Sequence, residues 1–180
     1  MGLFDSTECH RALKRIAAGD SGALEIIYER MGKQIYVFAL SLLENESEAE
    51  DVMQETFLRI MNSAGTYSGV QRNARAWILS IARNLSVDRI RRRKFVSEEE
   101  KTGVRSDVTY KIDDRDEVDR LMDILNAEEK QIVILRAVHR FRYSEIGKIT
   151  GETEDNARMK YVRAIEKMRK QAKRGKQNER

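Results

Sequence analysis

The spacing of apolar positions predicts helices over most of the chain. Between residues 48 and 61 the inward positions recur at intervals of three and four, which is the period of a helix with one buried face. These positions are Ala49, Val52, Met53, Thr56, Phe57, Ile60 and Met61. Similar spacing occurs over 24–31, 77–90, 118–125 and 157–168, and the chain contains no proline to interrupt a helix. The pattern therefore predicts an all-α fold.

Local signals predict where some of these helices begin and end. Gly32 is expected to interrupt the helix around it, so that the apolar run over 35–43 forms a separate buried helix. Ser47 and Glu50 have the spacing of a capping box, which predicts a helix start at Ser47. Residues 62–73 are rich in glycine, serine and asparagine and are expected to form a loop.

Residues 95–116 lose the helical periodicity and mix acidic residues with glycine and serine. Such a composition is typical of a flexible linker. We therefore expect two small helical domains, one over residues 1–94 and one over residues 117–180. In the second domain Asn126 is expected to cap a helix, with Glu129 at the capping-box position.

Charge is distributed unevenly, although the net charge is only +4. Residues 44–55 carry six carboxylates and no basic residue, whereas residues 158–180 are mostly basic. Basic blocks attract phosphate, and an acidic block suits a basic protein partner. Each block alone is also what a solvated helix face looks like, so charge indicates a nucleic-acid partner only where it coincides with a motif.

The chain offers little for metal or catalytic chemistry. Cys9 is its single cysteine, so no intrachain disulfide can form, and Cys9 with His10 lacks the further ligands of a zinc site. His10 and His139 have no evident nucleophile or carboxylate arrangement, so we expect neither an enzyme nor a bound metal or other cofactor. No apolar run approaches the length of a membrane span, and the expected location is the cytoplasm.

Residues 143–167 have the pattern of a helix-turn-helix. A short helix over 143–150 precedes Gly151, which permits the positive φ that ends a helix, and Thr153 can cap a second helix. That second helix has an inward stripe of Ala157, Tyr161, Ala164, Ile165 and Met168, and an outward band of Asn156, Lys160, Arg163 and Lys167. Such a band suits a major groove, because Lys and Arg bond guanine and phosphate while Asn bonds adenine. Arg158 lies off the band and can reach phosphate. An ordinary exposed amphipathic helix is the alternative.

The first domain carries two more candidate surfaces. On the 48–61 helix, the outward face is an acidic surface around a leucine that suits a basic partner; it consists of Asp51, Gln54, Glu55 and Leu58. The next helix carries polar residues at helical spacing and a basic end, which together comprise Asn84, Asp88, Arg89, Arg91, Arg92 and Arg93. Trp77 begins that helix beside the predicted loop, where core packing is the alternative to a functional role.

The chain resembles a known family in two segments. AEDVMQETFLRI at 49–60 and ARAWILSIARNLSVDRIRRR at 74–93 are similar to region 2 of bacterial sigma factors, in particular those of the extracytoplasmic-function (ECF) group of the sigma-70 family. YSEIGKITG at 143–151 and NARMKYVRAIEKMR at 156–169 resemble region 4 of the same group. Nothing in the chain resembles regions 1.1 or 3. Gly147 stands where this group usually has alanine.

The resemblance implies a role in transcription initiation. A protein of this kind binds core RNA polymerase and promoter DNA, and an anti-sigma factor is a further candidate partner. The face matching Asp51, Gln54, Glu55 and Leu58 would dock on the coiled coil of the polymerase β′ subunit. The −10 element would contact Tyr67, as a stacking residue for an extruded base, together with Trp77, Asn84, Asp88, Arg89, Arg91, Arg92 and Arg93. The −35 element would contact Asn156, Arg158, Lys160, Arg163 and Lys167.

Two other functions stay open at this point. An autonomous transcription regulator with a helix-turn-helix would bind duplex DNA without polymerase. A sigma mimic would sequester an anti-sigma factor and bind no DNA. The acidic 49–60 helix and the loop with Trp77 favour a sigma factor over the regulator, and the basic faces at 89–94 and 156–167 favour it over the mimic.

Overall fold

All regular structure is helical in the residues that the computed structural model describes, which are 3–68, 73–99 and 117–178. This confirms the all-α prediction. The α-helices in these ranges are α1 (Leu3–Ala17), α2 (Leu24–Leu43), α3 (Glu46–Ser63), α4 (Ala74–Glu99), α5 (Glu117–Asp123), α6 (Ala127–Val133), α7 (Tyr143–Thr150) and α8 (Glu154–Asn178).

The first module is built from α1 to α4, with α2, α3 and α4 packed on one another and α1 across them. The prediction that Gly32 interrupts a helix is wrong, because α2 is continuous from Leu24 to Leu43. Met31 and Ile35, on either side of the glycine, are both fully buried. Burying one continuous apolar face outweighs the roughly 1 kcal/mol by which a single glycine weakens a helix.

The start of α3 also differs from the prediction. Its N-cap is Asn45, whose side chain accepts a hydrogen bond from the Glu48 backbone N–H at 3.0 Å, and Ser47 lies inside the first turn. The predicted inward stripe is otherwise correct, with Val52 and Ile60 fully buried. The helix reaches Ser63 and a 3-10 turn follows over 64–66, so much of the predicted 62–73 loop is helical; residues 69–72 lie outside the described residues.

Helix α4 begins after Asn73, whose side chain accepts a hydrogen bond from the Ala76 backbone N–H at 3.1 Å. It ends at Glu99, so residues 95–99, which the sequence assigned to the linker, are helical. The rest of that predicted linker, 100–116, lies outside the described residues. The domain limits at residues 94 and 117 therefore stay a prediction.

The second module contains α5 to α8. Helix α6 has the predicted capping box, in which Asn126 and Glu129 each accept a hydrogen bond from the other's backbone N–H. It passes directly into a π-helical turn over Ile134–Val138. Helices α5, α6 and α7 all pack on α8, around a core that includes Leu135, Ile146 and Ala157.

The two modules pack against each other. Helix α7 lies on α4 and α6 lies on α2, so that one buried apolar cluster includes Phe38 and Leu79 of the first module with Phe141 and Ile146 of the second. None of the described helices combines the length and apolar character that crossing a bilayer demands.

Candidate nucleic-acid and protein interfaces

The acidic face of α3 is the first candidate interface, and we call Asp51, Gln54, Glu55 and Leu58 the acidic ridge. Asp51, Gln54 and Leu58 are exposed and Glu55 is half-buried; Leu58 keeps 64% of its surface in contact with solvent. A single exposed leucine is common on protein surfaces, so Leu58 gains meaning only from its position among the exposed polar residues of the ridge. The ridge is thus accessible to a partner over its whole length.

Arg89 of α4 borders this ridge. Its guanidinium lies 3.1 Å from a carboxylate oxygen of Asp51 and 3.7 Å from one of Glu55. The sequence placed Arg89 among the −10 contacts, but its side chain is only 25% exposed and turned toward α3. Arg93 is likewise turned back, toward Glu48 and the backbone carbonyl of Leu43. Both arginines tie α4 to α3, because these helices are neighbours in the bundle.

The remaining polar face of α4 is open. Asn84, Asp88, Arg91 and Arg92 are exposed, and Arg91 keeps 77% of its side-chain surface. Its guanidinium is 4.0 Å from the carboxylate of Asp88, one turn earlier in the helix. Because this ion pair is long and exposed to solvent, it does not fix the position of either side chain. This face leaves two arginines, Arg91 and Arg92, exposed to solvent.

Tyr67 is the clearest departure from the predicted −10 contacts. Its ring is 8% exposed and packs 5.5 Å from the ring of Trp77, while its hydroxyl lies 3.0 Å from Nδ1 of His10. Burial raises the pKa of the Tyr67 hydroxyl, with a further contribution from Cys9. The Tyr67 ring fills the gap between α1 and α4. A base could therefore stack on this ring only if the ring first left the core. Trp77 is half-buried and packs against the same core.

The helix-turn-helix has the predicted geometry. Helix α7 ends at Gly151, which has φ +75°, and the Thr153 hydroxyl accepts a hydrogen bond from the Asn156 backbone N–H at 3.2 Å. The chain turns so tightly that a Cβ on Gly147 would lie 2.6 Å from the carbonyl oxygen of Glu152. Gly147 is therefore required by the close approach of the turn to α7, where the sequence alone suggested only a weakened helix.

The basic band of α8 is divided by its neighbours. Lys160 Nζ lies 2.7 Å from a Glu128 carboxylate oxygen and 2.8 Å from one of Glu152, and the hydrogen bonds that it donates to these two carboxylates raise its pKa. Lys167 Nζ lies 2.5 Å from Glu129. Asn156, Arg158 and Arg163 are exposed. The predicted band is thus exposed at Asn156, Arg163 and Lys167 and half-buried at Lys160. Both lysines lie at the edge that faces α6 and are ion-paired there, Lys160 with Glu128 and Lys167 with Glu129.

Two exposed residues of α8 were missed. Met159 and Val162 keep 50% and 45% of their surface in contact with solvent. The sequence contains a signal for them, since both positions fall on the side of the helix opposite the inward stripe. The basic band was the feature predicted for the exposed side of this helix, and the prediction included no apolar residue there.

Polar contacts join the two modules beside Trp77. The guanidinium of Arg75 donates a 2.8 Å hydrogen bond to the Gln34 side chain of its own module. It also contacts the second module, at 3.5 Å from the His139 carbonyl oxygen and 5.1 Å from the centre of the Phe141 ring. The Asn73 amide donates to Glu145, and Lys130 Nζ lies 2.5 Å from Glu44. Asn73 and Glu145 line a cleft between α4 and α7, together with Trp77 and Lys148. The packed arrangement covers the start of α4 and leaves its Asn84–Arg92 face open.

Residues 27–96 match the family of sigma-70 region 2, and residues 115–168 match that of sigma-70 region 4. The chain belongs to the sigma-70 family. It is 27% identical over 163 residues to the RNA polymerase sigma factor CarQ of Myxococcus xanthus, covering 87% of this chain and 93% of CarQ. It is 26% identical over 178 residues to the ECF RNA polymerase sigma factor BldN of Streptomyces coelicolor, covering 89% of this chain and 64% of BldN. Within its family the chain is a member of the ECF group.

A solved structure has a similar fold. The sigma factor RpoE from Bartonella quintana, in complex with the anti-sigma factor NepR, matches with a TM-score of 0.68 and 21% identity over 81% of this chain and 94% of that chain. At this level of identity the match supports the arrangement of helices and carries no information on partners.

Proposed function

We propose that the chain is a sigma factor that directs core RNA polymerase to specific promoters, through α4 at the −10 element and α8 at the −35 element. The observation that carries this proposal is the presence, on one chain, of a helix-turn-helix with exposed arginines and a separate exposed acidic ridge. A regulator that binds DNA alone needs the first feature and has no use for the second. The role is non-catalytic and belongs in the bacterial cytoplasm, with the chromosome and polymerase.

The acidic ridge is the proposed contact with the coiled coil of the β′ subunit. Asp51 and Glu55 offer negative charge to a basic surface, and Leu58 at 64% exposure offers apolar area. Covering a leucine side chain contributes about 2 kcal/mol, and the charges add orientation and association rate more than affinity. Arg89 holds both carboxylates from the α4 side, so a basic partner meets a ridge whose charges are already oriented.

This function requires the two modules to separate on the polymerase. Elements centred about 25 base pairs apart lie roughly 85 Å apart along B-DNA. A compact body of this chain length is only about 40 Å across. With α7 on α4 and α6 on α2, α8 cannot reach one element while α4 holds the other. The contacts of Arg75 with His139 and Phe141, and of Asn73 with Glu145, must therefore break when the holoenzyme forms.

In vitro transcription with purified core polymerase and a promoter library tests the proposal directly. The wild-type chain should select a common promoter sequence, and a Gln54→Lys and Glu55→Lys double variant should bind no polymerase while its far-ultraviolet circular dichroism is unchanged. Glu29→Lys, an exposed charge reversal on α2, is the matched control and should transcribe like the wild type.

The rival functions predict different results. A chain that binds one duplex sequence tightly without polymerase, and never associates with core enzyme, would be an autonomous regulator. A chain that binds neither polymerase nor DNA would be a mimic. An anti-sigma factor as a further partner stays a prediction, to be tested by co-purification from the source organism.

A further inference from the structure

The outward face of α8 carries an apolar pair that the basic band does not explain. Met159 and Val162 are half exposed, lie one turn apart and so sit side by side on the helix. Neither belongs to the buried clusters of the second module. A single exposed apolar residue needs no explanation, but two neighbours on the second helix of a helix-turn-helix form a continuous apolar contact surface.

The charges around this pair define what can cover it. Lys160 and Lys167, at the α6 edge of the helix, are already held by carboxylates. Arg158 and Arg163, which adjoin Met159 and Val162 in the sequence, are exposed. The surface is therefore apolar in the middle and cationic at its two sides, and the exposed carboxylates of Asp155 and Glu166 lie one turn beyond its two ends along the helix. A DNA major groove is its complement, with phosphates along both rims and the thymine methyl group on its floor.

The position of the pair along α8 agrees with this partner. In a helix-turn-helix the N-terminal residues of the second helix contact base edges, and both residues lie within the first three turns of α8, which begins at Glu154. Thymine is the base that presents a methyl group in the major groove, and methionine and valine have no hydrogen-bond donor to offer any other base edge.

We propose that Met159 and Val162 read thymine methyl groups in the −35 element, with Arg158 and Arg163 on the adjoining phosphates or guanines. This inference rests on the proposed function. It moves the DNA-reading face of α8 from the band of Asn156, Lys160, Arg163 and Lys167 to the neighbouring surface, which consists of Arg158, Met159, Val162 and Arg163. Sequence specificity at thymine then comes from shape and apolar contact instead of hydrogen bonds.

The test exploits deoxyuridine, which differs from thymidine only by the missing methyl group. Promoters selected with wild-type holoenzyme are resynthesised with uracil in place of each thymine of the −35 element in turn, and holoenzyme affinity is measured by competition. The affinity of the wild-type holoenzyme should fall about fourfold for each contacted methyl group that is removed. The Met159→Ala and Val162→Ala double variant should bind thymine DNA as weakly as the wild type binds DNA that lacks all of the contacted methyl groups. Replacing thymine by uracil should not weaken the binding of this variant any further.

Two controls separate this effect from general weakening. Arg158→Ala should lower affinity on thymine and uracil DNA by the same factor, because a phosphate contact does not sense the methyl group. Val138→Ala, which trims another exposed apolar residue that is not on α8, should change neither.

Several results would overturn the inference. One is a wild-type holoenzyme that binds thymine and uracil promoters equally. Another is a double variant that still discriminates between them, or a selected −35 element without thymine on either strand. A double variant with wild-type DNA affinity that has lost an anti-sigma partner would assign the pair to a protein interface instead. If no promoter is selected at all, the proposed function fails first, before the methyl groups are tested.

Discussion

Acidification should destabilise this protein through one buried histidine. His139 is 5% exposed and packs between the rings of Phe38 and Phe141, at centroid distances of 6.1 and 6.2 Å. Its Nε2 has no hydrogen-bond partner in the part of the chain that the structure describes. Burial, together with the nearby charge of Arg75, lowers the pKa of His139 from 6.5 to about 4.

The sign and size of the effect follow from linkage. Above pH 6.5 the ring is neutral in both the folded and the unfolded state, so it has no effect on stability. As the pH falls below 6.5, His139 binds a proton in the unfolded chain but stays neutral in the folded chain. The free energy of unfolding therefore decreases until about pH 4. With these two pKa values, the loss between pH 7 and pH 5 is about 2 kcal/mol.

Urea unfolding followed by circular dichroism at pH 7, 6 and 5 measures this loss. His139→Phe is the matched variant, because it keeps an aromatic ring beside Phe38 and Phe141 and removes the titrating group. Wild type should lose about 2 kcal/mol more than the variant between pH 7 and 5. Equal losses in the two proteins, or a histidine NMR signal for residue 139 that titrates near pH 6.5, would refute the reasoning.

Two further predictions test packing. Gly147→Ala should lower the free energy of unfolding by about 1 kcal/mol. The clash of the new Cβ with the Glu152 carbonyl oxygen costs about 1–3 kcal/mol, which exceeds the gain in helix propensity of up to about 1 kcal/mol. Gly65→Ala is the control, because a Cβ at Gly65 meets no atom within 4 Å. Arg75→Ala should loosen the contact between the modules and raise the radius of gyration in small-angle X-ray scattering above the roughly 16 Å of a compact chain, whereas Lys33→Ala should leave it unchanged. Stability of the first variant equal to wild type, or an unchanged radius for the second, would contradict these arguments.

Features that depend on neighbouring residues in the chain were predictable. The inward stripes of α3 and α8, the cap at Asn126 and the turn at Gly151 all follow from helical periodicity or from hydrogen bonds within one turn. Two of the local predictions that failed, those at Gly32 and Ser47, also have a local cause. At each, a second residue pattern competed with the signal: a continuous apolar face in α2, and Asn45 ahead of Ser47.

The sequence by itself determined the helices, the two modules, the family and the acidic and basic faces. Only the tertiary structure decided which charges on those faces are available. Arg89 meets Asp51, and Lys160 meets Glu128, across 38 and 32 residues of chain, and Tyr67 is covered by Trp77 and His10. A helical period gives the direction in which a side chain leaves its helix. Whether it then reaches solvent or a partner depends on which helix packs alongside, and that is fixed by contacts between segments far apart in the chain.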